Sequence, residues 1–202
     1  RLNDTREHTE ETDGCAVDGV EIRVVDDARH EVPHGQEGEE ASRGPQVFVG
    51  YWGEPEMTAR ALDADGWYYS GDYCRTDSEG RYIRITGRKK DIIVRGGENI
   101  SSREVEDIVL EYPGVREAAV VAMPDERLGE RSCACVSMRP GAPALHLTDL
   151  VAFFDGRRVA KYKFPEYLVV LDALPRTSSG KLQKFALARM VRERVAAGQP
   201  SD

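Results

Sequence analysis

Four short stretches carry residue types that could do chemistry. Tyr69-Ser-Gly-Asp72 puts a carboxylate directly after a glycine. An ionised Asp accepts two hydrogen bonds at once, which suits the paired hydroxyls of a ribose and suits equally a turn that satisfies itself. Gly87-Arg-Lys-Lys-Asp91 offers Arg88 as a forked donor to sugar or phosphate oxygens, in a run that also reads as a solvated charge cluster. Gly96-Gly-Glu-Asn99 is a glycine turn where a narrow ligand could approach the backbone, or a plain strand-to-helix turn. Pro175-Arg-Thr-Ser-Ser-Gly-Lys-Leu-Gln-Lys184 presents Lys181 on a hydroxyl- and glycine-rich loop. It is similar to a phosphate-binding loop without the P-loop spacing. A lysine held there is a mobile point charge that can meet developing negative charge. Taken singly, each stretch is also explained by ordinary loop chemistry.

The elements that must position these residues change character near residue 87. Before it, residues 20–25, 46–52, 66–73 and 82–86 read as short strands, with turn formers between them and a short helix over 54–62 that has Pro55 in its first turn. Residues 1–14 read as a loose polar lead-in. After it, Ser101-Ser-Arg-Glu104 fits a capping box, and Val105, Ile108, Val109 and Tyr112 form one apolar helix face. Residues 115–123, 132–138 and 167–171 read as strands, and 147–154 and 184–195 as helices, the last with Leu187, Met190, Val191 and Val195 on its apolar face. This predicts an α+β fold. A β-rich part over 1–86, of barrel or sandwich type, precedes a joint at 87–91 and a small domain over 92–202 with a three-stranded antiparallel sheet and helices. The charged run at the joint has nothing to anchor in a core, so the chain can bend there.

Net charge is −8, from 28 basic and 36 acidic residues, which excludes a general nucleic-acid binder and makes any anion site local. No run approaches the ~18 apolar residues that span a bilayer. The N-terminus lacks an apolar signal stretch and an initiator methionine, and reads as that of a cut-down chain. Cys15, Cys74, Cys133 and Cys135 include no C-x-x-C pair and read as thiols in a reducing cytoplasm; Cys133 and Cys135 should share one strand face. His8, His30, His34 and His146 read as surface residues.

In order and spacing the four stretches, with Gly50-Tyr-Trp52 and Asp65-Gly-Trp67, closely resemble the C-terminal portion of the adenylate-forming acyl-CoA synthetases. That superfamily includes fatty-acyl and aryl-CoA ligases, firefly luciferase and peptide-synthetase adenylation domains. The likeness runs from about Gly14 to Val195. It implies an AMP-forming acid–CoA ligase that uses ATP and CoA. Asp72 would hold the ribose hydroxyls, with Arg88 as its companion. Lys90 would be the hinge about which the lid swings between two half-reactions. Lys181 would be the catalytic contact to the α-phosphate and carboxylate oxygens in the first. Gly97 would line the passage for the pantetheine arm of CoA. Trp67, Gly71, Gly87 and Gly180 would be structural, and Lys184 should matter little.

The family's phosphate loop, acyl pocket and magnesium-binding carboxylate have no counterpart here, so magnesium ligands are expected upstream and none in this chain. The fragment alone is expected to be inactive. Glu40 and Ser42 stand where relatives place apolar strand residues. The motif around Gly180-Lys181 also resembles the site at which lysine acetyltransferases silence such ligases. The alternative reading is a non-catalytic or in-trans lid or regulatory module of the same family.

Overall fold

The computed structural model describes residues 4–196. The chain divides between Lys90 and Asp91 into two compact units. The first is built on one antiparallel sheet of five strands in the order β1-β5-β4-β3-β2. Helix α1 (Arg6–Glu11) opens it, with the Thr5 hydroxyl accepting from the His8 amide at 3.2 Å. Strands β1 (Gly14–Cys15), β2 (Glu21–Val25) and β3 (Gly38–Arg43) follow, then helix α2 (Pro55–Ala61), β4 (Tyr68–Thr76) and β5 (Tyr82–Arg88).

Three expectations for this half are corrected. Residues 4–14 of the lead-in are structured, residues 1–3 lying outside the described residues: the Asp13 amide donates to Ile83 O at 2.8 Å, and the His8 ring stacks on Tyr82 at 3.9 Å, so His8 is partly buried. Residues 46–52 form no strand but a loop, with Val49 and Trp52 fully exposed. Their apolar run has no neighbouring strand to pair with. The strand that does sit beside β4 is β3, whose Glu39-Glu40-Ala41-Ser42-Arg43 hides its role behind charge. Only Ala41 of these five is fully buried, and it packs with Val25, Trp67 and Tyr69 in a small core. The guanidinium of Arg23 lies 4.0 Å from the Trp67 ring and that of Arg29 3.9 Å from Tyr69, so arginine stems extend a core that few apolar residues supply.

A single 3-10 turn (Lys89–Asp91) leads into the second unit. Strand β6 (Ile92–Arg95) turns back as β7 (Glu98–Ser101) before helix α3 (Ser102–Leu110). The Gly96-Gly97 stretch is therefore a two-residue hairpin and not a strand-to-helix turn. Both glycines have positive φ, +58° and +91°, as a type I′ turn requires. Then come β8 (Val115–Asp125), β9 (Gly129–Met138), helix α4 (Leu147–Asp155), β10 (Tyr167–Val170) and helix α5 (Lys184–Ala196).

The α+β class stands, while the sheet differs from the three antiparallel strands expected. It has five, because the β6–β7 hairpin joins it, and β10 runs parallel to β9. The crossover through α4 carries the chain back along the sheet, which permits the parallel pairing. Alternation along the strands sorts side chains to two faces. Val120, Ala134, Val136 and Leu168 pack with Val105, Val109, Leu150 and Phe154 of α3 and α4. Ala119, Val121, Cys133, Cys135 and Val169 pack with Leu187 and Val191 of α5. Burial on both faces explains why β8 and β9 read as continuous apolar runs. Val195, expected beside Leu187 and Val191, has a side chain outside the described residues.

Cys133 and Cys135 do share a face; their mutual hydrogen bond, with burial, pushes the Cys133 thiol up. Burial likewise raises Cys74 to about 12. The Cys74 and Cys133 thiols stay protonated and unreactive at neutral pH. No helix among the described residues is long and apolar enough to cross a membrane.

Phe154, on α4, is fully buried against Phe164 and the sheet. Phe154→Ala should destabilise the second unit by about 3–5 kcal/mol. Urea unfolding followed by circular dichroism tests this; a midpoint unchanged from the parent chain would contradict the packing described.

Candidate functional site

Asp72 and Arg88 face one another in register on β4 and β5, and Arg88 Nε lies 2.7 Å from Asp72 Oδ1. The local sequence explains the aim of the carboxylate. Gly71 has φ +74°, its amide donates to Glu39 Oε1 at 3.0 Å, and the Asp72 amide donates to Ser70 Oγ at 3.1 Å. Ser70 Oγ in turn donates to Glu40 O at 3.1 Å, so the short polar run is fixed to β3. Glu40 therefore has a part in this corner, and burial raises its carboxyl above the usual range. The side chain of Arg88 is 56% exposed and that of Asp72 27%. An ion pair so open to water is worth only about 0–1 kcal/mol. Its value lies in presenting a carboxylate and a guanidinium together at the surface.

The charged joint is not uniformly free. Lys89 Nζ lies 2.8 Å from Asp27 Oδ1 and 3.1 Å from Glu39 Oε2, both in the first unit. Asp91 Oδ2 lies 3.7 Å from Lys184 Nζ in the second. Lys90, between them, is exposed and makes no ion pair with any described residue. As expected, none of Arg88, Lys89, Lys90 and Asp91 is buried in a core, but partly exposed ion pairs to described residues hold all of them except Lys90.

Lys184 is the residue that sequence reasoning missed. It begins α5, and its ammonium lies 2.8 Å from Glu106 Oε1 and donates to Ser102 Oγ at 2.9 Å. Glu106 also accepts from the Val120 amide at 2.7 Å. Burial raises the Glu106 carboxyl despite the lysine beside it. This cluster ties α3, α5 and β8 together. A lysine at the start of an amphipathic helix gives no sequence signal for it, because both acidic partners lie about 80 or more residues earlier. At the start of α3, Ser101 Oγ accepts from the Glu104 amide at 3.4 Å, and the Glu104 carboxylate accepts from Lys163 Nζ at 2.6 Å.

Gly97 sits at the tip of the β6–β7 hairpin, and no heavy atom lies within 4 Å of where its Cβ would be. The hairpin is braced from β9 and from the chain just before β10. The Gly96 amide donates to Leu128 O at 2.7 Å, the Val94 amide donates to Glu130 Oε2 at 2.8 Å, and Arg95 forks onto Glu166 at 2.9 and 3.0 Å.

Lys181 lies on a closed loop and not on a flexible connection. Thr177 N donates to Lys181 O at 2.8 Å, Gly180 N to Thr177 O at 2.9 Å, and Gln183 N to Pro175 O at 2.9 Å. Gly180 makes the turn with φ +84°. The Lys181 backbone is therefore fixed, while its side chain is exposed and makes no ion pair with any described residue. Among the described residues, no group of three or more His, Cys, Asp or Glu side chains is arranged to hold a metal ion.

Comparison with known proteins gives this arrangement its context. Residues 104–181 match the model of the AMP-binding enzyme C-terminal domain, and residues 1–52 that of the AMP-binding enzyme. The chain belongs to this adenylate-forming, AMP-binding enzyme family. It is 63% identical over 194 residues to the medium-chain fatty-acid–CoA ligase of Escherichia coli (strain K12), covering 96% of this chain and 34% of that protein. It is 40% identical over 190 residues to the vibriobactin-specific 2,3-dihydroxybenzoate-AMP ligase of Vibrio cholerae, covering 94% of this chain and 35% of that one. Among solved structures, ATP-bound MatB from Rhodopseudomonas palustris superposes with a TM-score of 0.84 at 36% identity, over 90% of this chain and 36% of that chain. The chain thus spans about a third of the length of these relatives.

Removing the Lys184 ammonium would leave Glu106 buried without its counter-charge. Lys184→Ala should cost about 1–3 kcal/mol. Glu106 has a raised folded-state pKa, so it binds its proton more tightly folded than unfolded. Its own contribution favours the fold below the ordinary value of 4.5 and is lost as pH rises through the raised value. The deficit of Lys184→Ala should therefore be full at neutral pH and shrink as pH falls through that value. Urea denaturation at several pH values checks it; a deficit that does not change with pH would count against a charge-based role.

Proposed function

We propose that this chain is the nucleotide-holding edge and lid of an ATP-dependent acid–CoA ligase. The single observation that carries the reading is 63% identity, over almost the whole chain, to a medium-chain fatty-acid–CoA ligase. On that reading a carboxylate oxygen of the substrate attacks the α-phosphorus of ATP, the bond to the pyrophosphate group breaks, and acyl-AMP forms. The CoA sulfur then attacks the acyl carbon, the thiol proton is lost, and AMP leaves with the electron pair of the broken C–O bond. Medium-chain fatty acids are the substrate class we favour.

Each residue has a part in this scheme. Asp72 accepts from both ribose hydroxyls while Arg88 holds the carboxylate in register and adds its free N–H groups to the nucleotide. Lys181 brings its unpaired ammonium to the α-phosphate and carboxylate oxygens during the first step, where charge builds up. Lys90 is the hinge. Rotation there need break none of the pairs on either side, since Lys89 is held by Asp27 and Glu39 and Asp91 by Lys184. Gly97 lets the pantetheine arm pass close to the backbone in the second step. Magnesium, whose ligands the family resemblance assigns to the part of such ligases upstream of this chain, enters no step here.

In the full-length ligase, Lys181→Ala should slow acid-dependent pyrophosphate release by about 10²–10³-fold, by analogy with loss of an oxyanion donor. Thioester formation from preformed acyl-AMP should keep its rate. Equal loss of both steps would contradict the assignment. The exposed Lys181 ammonium is also open to a lysine acetyltransferase, and acetylation would remove the charge the first step needs. Mass spectrometry that finds Lys181 unmodified under all growth conditions would speak against that regulation.

A further inference from the structure

The loop that carries Lys181 is held by a clasp whose halves lie far apart in sequence. Arg176 Nη1 donates to Gly180 O at 2.7 Å, across the mouth of the turn. Its Nη2 donates to the Glu117 carboxylate on β8. Glu117 is itself placed by the fold. It sits where the β8–β9 register shifts, and a bulge of that kind re-aims a side chain. Its other oxygen accepts from Ser137 Oγ at 3.2 Å, and Ser137 is fully buried in β9. The Arg176 contact holds the Glu117 carboxyl below the usual glutamate range, so the clasp is charged on both sides at neutral pH.

Only a forked donor can do this. A guanidinium reaches two acceptors in fixed geometry, where an ammonium is a point charge. The Arg176 and Glu117 side chains are 46% and 26% exposed, and a pair that open to water adds little to folding. What it does is set the backbone directly before Lys181, because the carbonyl it grips belongs to the preceding residue. The Lys181 amide, which donates to Thr177 Oγ1 at 3.0 Å, closes the same turn.

We infer that Arg176 is a positioning residue for adenylation: bridging Gly180 O to Glu117, it fixes the base from which the Lys181 ammonium reaches the α-phosphate. The inference rests on the proposed role of Lys181 in the first step. Arg176 touches no substrate atom in this scheme and acts only through Lys181.

The test uses the full-length ligase. Arg176→Ala should lower the adenylation rate by about 10–10²-fold, the scale of loss when a catalytic group is misplaced by an ångström. The loss should fall in kcat and not in the KM for ATP, with Arg176→Lys intermediate and the thioester step from acyl-AMP unchanged. In a Lys181→Ala background, Arg176→Ala should add nothing. A further loss as large as in the parent enzyme overturns the inference, because Arg176 would then act by another route. If Lys181→Ala by itself leaves adenylation intact, the proposed function has failed, and the clasp is judged separately. Amide hydrogen exchange on this 202-residue chain does so. Glu117→Gln and Arg176→Ala should each speed exchange at Gly180 and Lys181 by about tenfold or more, while β8 and β9 amides hold their protection. Unchanged exchange at those two amides overturns the clasp; should Arg176→Ala fail to fold, Glu117→Gln carries both measurements.

Discussion

Burial of β9 on both faces is the constraint from which the second unit follows. The strand pairs with β8 on one side, and with β10 and the end of β6 on the other, and helices cover it above and below. With Cys133 and Cys135 on one face and Ala134 and Val136 on the other, all fully buried, it tolerates neither a charge nor a register slip. Each loop at the rim takes its position from this strand or its neighbours. The glycine hairpin is braced at the start of β9 through Leu128 and Glu130, and the lysine loop through Glu117 and Ser137. A rigid slab thus carries two separate loops with different chemistry, one an open glycine tip and the other a fixed backbone with a free ammonium.

Charge does a different task around residue 90. Of four consecutive charged residues, three form ion pairs with described residues and Lys90 does not. The committed pairs are partly solvated and individually weak. Two acceptors on Lys89 and a partly buried cluster behind Asp91 nevertheless give the chain a defined end on each side of Lys90. A hinge placed there by proposal would be a single residue long, and the units on either side would keep their internal contacts as it turned.

Much of the second unit was legible because its elements are long and periodic. The apolar spacing from Val105 to Tyr112 can bury only one helix face, and the runs that became β8 and β9 can only be strands covered on both sides. The first unit was harder to read. Its inner strand β3, between β4 and β2, carries two glutamates, a serine and an arginine, so hydropathy points away from it, whereas the apolar 46–52 run finds no strand beside it and stays a loop. The candidate site divides in the same way. Asp72, Arg88, Gly97 and Lys181 are marked by local motifs, while Arg176, Glu117, Lys184 and Glu106 are ordinary residues whose roles exist only through partners distant in sequence.

By itself the sequence determined the α+β class, most of the elements and the position of each motif, because periodicity, turn chemistry and short motifs are properties of neighbouring residues. Only the tertiary structure decided that β10 runs parallel, that Gly96 and Gly97 form a hairpin, and that the Lys181 loop is clasped to β8. The hairpin depended on whether residues 98–101 pair back as a strand or enter the helix, and the other two on which distant groups meet; pairing across 59 residues, as between Arg176 and Glu117, leaves no trace in local pattern.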